Sequence, residues 1–257
     1  DTDEHRILYD VGQNSGGGSP SSLEKNMEAL GVELGTIDMV FISHNHLDHV
    51  GGLHWQRMNT FSLGREQKPF PNPLTQLVAP DLMTYPGMST VYANKKPMQI
   101  GKGVGSTGLA TTGTIPRQLA AGWIEEHSLV VNVEGLGGVI IVGCGHQLVP
   151  NLIKRYDKAF SEPLFAVVGG LHFPVPEGRP LMGFDIQRRL ASGEGVFSPL
   201  GMEEVLRQIA MLKKRNLGVI AVSAHDSSDE VIEIVREEFG EAHRYIRVGE
   251  EIVIRAP

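Results

Sequence analysis

Ser43-His44-Asn45-His46-Leu47-Asp48-His49 decides how the rest of the chain is read. Three histidines and an aspartate fall within these seven residues, with an apolar run at 37–42 leading in and Val50-Gly51-Gly52-Leu53 leading out. Val40, Phe41 and Ile42 read as a buried strand, because β-branched and aromatic residues suit a covered sheet. Such a strand delivers imidazoles and a carboxylate to its C-terminal end. Neutral imidazole nitrogen and carboxylate oxygen are the usual donors to zinc and similar divalent ions. His44 and His46 converge on one ion if the turn is tight; Asp48 and His49 would serve a second. A polar surface turn is the competing reading. A cluster of ligand-type side chains directly after a buried strand argues against it.

Outward from this stretch, the pattern repeats. The segments 129–133 and 139–142 form a hairpin signature that ends in Gly143-Cys144-Gly145-His146. The strand at 164–168 ends in Gly169-Gly170-Leu171-His172, and the strand at 218–222 ends in Ser223-Ala224-His225-Asp226. His44, His146, His172 and His225 thus all follow apolar strands. In layered α/β folds the carboxyl ends of strands gather at one edge, where loops build the site. A lone strand-end histidine is ordinarily structural, but together these become candidate ligands beside His46, Asp48 and His49.

The connecting segments fit that frame. A strand at 6–11 carries Asp10 at its end, either as a turn former or as a group that orients a ligand histidine. The Gly-Ser loop at 16–20 lacks the spacing and lysine of a phosphate-binding loop. Ser21 or Ser22 caps a helix with Leu23, Met27 and Leu30 as its apolar stripe and Gly31 as its end. A second helix begins near Asp48-His49, with Leu53 and Trp55 facing inward. Prolines break up 60–118, where only 77–79 reads as a strand, and the Gly/Ser/Thr-rich 101–113 reads as a loop bordering a site. Helices are expected at 149–160, 202–216 and 230–239, the last capped by Ser227 or Ser228. An irregular insertion is expected at 174–199, and a terminal strand at 251–255.

Composition narrows the function. Apolar residues make up 41% of 257 residues and charged residues 21%, ordinary for a globular chain. The net charge is −7, and Lys95-Lys96 and Lys213-Lys214-Arg215 are too short for a nucleic-acid track. No apolar run approaches the ~20 residues needed to cross a bilayer. Cys144 is the single cysteine, which excludes an intramolecular disulfide. Its setting between two glycines favours a small buried residue over a nucleophile. The expected partner is a small molecule, phosphorylated ones included, rather than nucleic acid or membrane; oligomeric state is left open. The cytoplasm is the favoured compartment, with export left open because the chain does not start with methionine.

His44-Asn45-His46-Leu47-Asp48-His49 resembles the H-x-H-x-D-H signature of the metallo-β-lactamase superfamily, and the resemblance extends from Asp10 to His225. It implies an α/β fold, a four-layer αβ/βα sandwich of two mixed sheets with outer helices. It also implies a single domain over 1–257 with insertions near 60–118 and 173–199. By the same resemblance, His44, His46 and His146 would hold a first metal, and Asp48, His49 and His225 a second. Zinc is the leading choice, with one or two ions; manganese, iron and nickel suit the same donors. Where the superfamily usually supplies a bridging aspartate, this chain carries His172. Imidazole cannot bridge two ions as a carboxylate does. His172 is then a ligand to one metal, or a substrate-facing acid or base, or the mark of a weak second site.

The implied activity is metal-assisted hydrolysis of an ester or phosphoester, with Asp48 as ligand and proton acceptor and His172 as the second catalytic candidate. Arg117 is the candidate grip on a substrate anion, against the alternative of a surface salt bridge. Thr112-Gly113-Thr114-Ile115-Pro116-Arg117 and the segments ending in His146 and His172 look more specifically like one branch. That branch includes dihydropterin-ribofuranosylaminobenzene-phosphate synthases. It makes a dihydropteroate-synthase-like transferase acting on a phosphoribosyl substrate one alternative. A metal-binding or regulatory protein without turnover is the other. The remaining histidines, His5, His54, His127 and His243, lack this context and read as structural or surface residues.

Overall fold

A computed structural model describes residues 1–2, 4–14, 18–101, 108–119, 122–178 and 199–256. Most of the expected insertion at 173–199, and parts of the 16–20 and 101–113 loops, lie outside the described residues. The chain divides into two compact units, Asp1–Thr114 and Ile115–Pro257.

The first unit holds a sheet of β1 (Ile7–Tyr9), β2 (Met39–Phe41), β3 (Gln76–Ala79) and β4 (Ser89–Tyr92), in that order. All neighbours pair parallel, with Tyr9 beside Phe41 and Phe41 beside Val78. Every residue of β2 is buried, which is why it reads as an unbroken apolar run rather than an alternating one. Val40, Ile42, Val50, Phe61, Leu77 and Tyr85 share one core cluster on this sheet. β5 (Met98–Gln99) and β6 (Leu109–Thr111) add an antiparallel pair.

Helix α1 (Ser22–Ala29) opens on a capping box: the Ser21 hydroxyl accepts the Glu24 N–H at 3.1 Å, and the Glu24 carboxylate accepts the Ser21 N–H at 2.7 Å. Leu23 and Met27 pack inward as expected, but Leu30 is exposed, because the helix ends there and Gly31 turns the chain away. Helix α2 (Leu53–Arg57) starts later than expected. Two positive-φ glycines, Gly51 and Gly52, precede it and rotate its first residue outward. Leu53 is therefore exposed, while Trp55 packs on the core as expected.

The second unit has two antiparallel hairpins, β7 (Ile115–Leu119) with β8 (Gly122–Glu126), and β9 (Leu129–Val133) with β10 (Gly137–Val142). β11 (Leu164–Gly169) and β12 (Val219–Val222) continue in parallel beyond β10, so the expected mixed pairing occurs here. Helices α3 (Val149–Ala159), α4 (Met202–Lys213) and α5 (Asp229–Phe239) form where the apolar spacing predicts them. Ser228 caps α5 by accepting the Val231 N–H.

Two expectations need correction. Residues 60–118 hold β4, β5, β6 and part of β7, not β3 alone. The prolines there interrupt the chain between and within short pieces whose pairing comes from tertiary contact rather than local pattern. The terminal segment 251–255 makes no described ladder. Ile252 and Ile254 do pack on Val139, Ala166 and Val219, so the segment is held by apolar packing rather than by the expected strand pairing. The edge of β12 is met by a different stretch, with Ile220 bridging His243 and accepting the Arg244 N–H at 2.8 Å.

The loop after β2 is stitched to its unit by main-chain bonds: Gly51 N–H to Gly12 O at 2.8 Å, Ser62 N–H to Val50 O at 3.1 Å and Val11 N–H to His49 O at 3.0 Å. A Cβ on Gly51, at φ +96°, would collide with the Ser62 carbonyl; one on Gly12, at φ +71°, would meet nothing. Gly51→Ala should therefore cost roughly 2–4 kcal/mol and Gly12→Ala about 1 kcal/mol, read from urea midpoints. Equal losses would show that close approach is not what holds this loop.

Candidate metal centre

In the first unit the metal-type side chains are set by how β2 ends. Ile42 still donates to Val78 O at 2.9 Å. The next N–H, of Ser43, turns to the side chain of Asp10 at 2.8 Å, so the chain leaves the sheet there. His44 follows, fully buried. Asn45 points away, donating to the Gln56 carbonyl at 3.3 Å and to the Asn59 side chain at 3.1 Å, while Gln56 donates to the Asn45 carbonyl at 2.9 Å. A turn closed by His49 N–H to His46 O at 2.9 Å then brings His46, Asp48 and His49 back toward His44.

The hydrogen bonds fix which ring nitrogens carry protons. The Ser43 hydroxyl lies 2.7 Å from Asp10 Oδ2 and 2.9 Å from His44 Nδ1. An ionised carboxylate only accepts, so the hydroxyl proton points to Asp10 and the Ser43 oxygen accepts from His44 Nδ1–H. His49 Nδ1 donates to the same Asp10 oxygen at 2.7 Å. In the neutral form of each ring the lone pair then sits on Nε2, the state in which imidazole binds a metal. Of the two roles open to Asp10, the structure gives it the orienting one.

These donors are close together. The His44 ring lies 4.7 Å from that of His46 and 4.1 Å from that of His49. Ligand atoms of His44 and His46, of His44 and His49, and of Asp48 and His49 lie within 4.8 Å of each other. Burial, with a smaller push from His49, lowers the pKa of His46 to about 4 against the opposing pull of Asp48. His46 is thus an unprotonated ring across the neutral range, as ligation requires.

The second unit offers its own set. His146 follows β10 and His172 follows β11, both buried, with ring centroids 4.6 Å apart. The loops that carry them approach so closely that a Cβ on Gly170 would collide with the Gly143 carbonyl and the Asp226 carboxylate. His172 sits at φ +54°, a conformation non-glycine residues seldom adopt away from functional or turn positions. His225 is exposed at the end of β12, its N–H on the Ser223 hydroxyl at 3.1 Å. Cys144 is buried, as expected for a small residue between two glycines.

Arg117 is half-buried in β7 and donates to the His146 carbonyl at 3.2 Å. Two acidic residues at this site escape sequence reasoning. Asp226 is fully buried, with Oδ1 accepting from the Ser227 hydroxyl at 3.2 Å and Oδ2 against Gly170. A carboxylate thus stands beside the β10 and β11 ends although position 172 is histidine; its adjacency to His225 was the available signal. Glu126 is also fully buried and accepts the N–H groups of Cys144, Gly145 and His146 at 3.1, 2.9 and 2.7 Å. Nothing in its neighbours marks it, since its partners are main chain 18 to 20 residues away. Of the histidines expected to be structural, His127 and His243 are buried, His5 faces Asp38 at 3.3 Å, and His54 packs edge-on against Trp55.

With this geometry in place, comparison with known proteins identifies the fold. A solved structure described as Tm1679, a metal-dependent hydrolase of the β-lactamase superfamily, aligns with TM-score 0.64 at 16% identity, over 97% of this chain and 89% of its own. The metallo-β-lactamase fold protein YhfI from Bacillus subtilis aligns with TM-score 0.53 at 12% identity, over 97% and 88%. The chain therefore has the metallo-β-lactamase fold. A family profile described as anti-Pycsar protein Apyc1 matches residues 2–72. No curated protein matches the chain. These matches lend no support to the synthase-like branch.

The shared role of Asp10 is testable. Asp10→Asn keeps an acceptor for Ser43 N–H but turns an amide donor toward the histidines, favouring the tautomer with Nε2 protonated. Zinc affinity, measured by competition with a chromogenic chelator, should fall about 10–100-fold. Wild-type affinity in this variant would remove Asp10 from ligand orientation.

Proposed function

We propose that the chain is a metal-dependent hydrolase acting on an ester or phosphoester bond of a small molecule. The observation that carries this reading is the Asp10 network, which anchors two closely packed imidazoles through Nδ1 and so makes Nε2 the metal-type donor atom of each ring. A buried cluster of imidazoles anchored in this way fits a divalent ion and would be poor design for a plain surface turn.

In this reading the sequence resemblance supplies the ligand sets: His44, His46 and His146 would hold one ion, and Asp48, His49 and His225 a second. His172, whose ring lies 4.6 Å from that of His146, would be either a further ligand or a substrate-facing acid. Zinc is the leading choice, with manganese, iron or nickel compatible with the same donors. A divalent ion in such a site lowers the pKa of water toward neutrality and polarises a carbonyl or phosphoryl oxygen. Asp48 would take up the proton released during attack, and His172 in its acid role, not as a ligand, would return one to the leaving group. Arg117 would hold the His146 carbonyl and also present positive charge to an anionic substrate. No serine or cysteine nucleophile is needed.

A panel of nitrophenyl esters, phosphomonoesters and phosphodiesters tests the reading. Turnover on at least one should vanish with chelator and return with zinc or manganese. His46→Ala should lower kcat/KM by about 100-fold or more. A chain that retains metal yet turns over none of them would be a binding protein instead.

A further inference from the structure

We propose that the β7–β8 hairpin is a clamp on the turn that carries His146, with Glu126 as its principal positioning residue and Arg117 as its second contact. The proposal rests on His146 being a metal ligand and concerns what holds it in place.

Glu126 ends β8, and its carboxylate spans three consecutive main-chain donors. One oxygen accepts the N–H groups of Cys144 and Gly145, at 3.1 and 2.9 Å, and the other accepts that of His146 at 2.7 Å. Successive N–H groups converge in this way only where the backbone alternates in handedness, and Gly145 supplies the left-handed residue at φ +79°. Such a nest ordinarily receives an external anion; here the chain's own carboxylate fills it. A carboxylate fully removed from solvent is tolerated only when its oxygens are well supplied with donors. The hairpin and the turn are therefore tied together by a strong directional contact.

Arg117 grips the same residue from its other main-chain group, donating to the His146 carbonyl at 3.2 Å. The hairpin register explains how both reach it. Ile115 pairs with Glu126 and Arg117 with Ile124, so Arg117 and Glu126 lie on one face of the two-stranded ribbon. One hairpin thus fixes the N–H and the C=O of His146. With both main-chain groups held, the direction in which the His146 side chain leaves the backbone is set before any ion arrives.

The test uses the whole chain and titrates metal rather than activity. Glu126→Gln keeps the shape but replaces one acceptor oxygen by a donor that faces a main-chain N–H. Zinc affinity should fall about 10–100-fold by chelator competition, and the visible spectrum of the cobalt(II)-loaded protein should change. Circular dichroism establishes that the variant is folded. If Glu126→Gln does not fold, Arg117→Met gives the same reading from the carbonyl side, with a several-fold loss expected. A folded Glu126→Gln, or in its place Arg117→Met, with wild-type affinity and spectrum would overturn the clamp. His146→Ala separates the two layers. If it keeps the full metal complement, His146 is not a ligand and the reading beneath the proposal fails. If it loses an ion while Glu126→Gln binds as wild type, the clamp alone fails.

Discussion

The carboxylate of Asp10 is the contact on which the first unit's metal-type cluster depends. It stands at the end of β1, at φ +53°, and receives the main-chain N–H and hydroxyl of Ser43 and the ring N–H of His49. Through Ser43 it also reaches His44. One side chain therefore does three things. It ends the ladder between the strands, it turns the chain out of the sheet, and it fixes two imidazole tautomers. Each follows from the same fact, that an ionised carboxylate accepts and never donates.

The sheet supplies the other half of the logic. Parallel strands leave their carboxyl ends along one edge, and side chains just beyond those ends project into the same space. β1 and β2 bring Asp10 and His44 together in one unit; β10 and β11 bring His146 and His172 together in the other. The same device, a carboxylate accepting main-chain N–H groups just past a strand end, appears at Asp10 and again at Glu126. In both places the ligand-type histidine is held through its neighbours or its own backbone.

Legibility followed the range of the interactions. The buried strand at 37–42, the strands ending at His146, His172 and His225, and the helices with apolar stripes were all readable, because each depends on residues near in sequence. So was the Ser21–Glu24 capping box. The short strands β4 to β8 were not, since their pairing is decided by partners elsewhere in the chain. Glu126 was invisible for the same reason: a glutamate ending an unrecognised strand has no local sign that three distant N–H groups await it. Asp10 shows the intermediate case. Its place at a strand end allowed two roles, and only the positions of Ser43 and His49 decide between them.

Metal content per chain tests the central claim most directly. The protein would be loaded with zinc, desalted and measured by elemental analysis beside a His44→Ala/His46→Ala double variant. The account predicts one or two tightly held ions in the wild type and a loss of at least one in the variant. No retained metal in a folded wild-type chain, or an unchanged content in a folded variant, would contradict it.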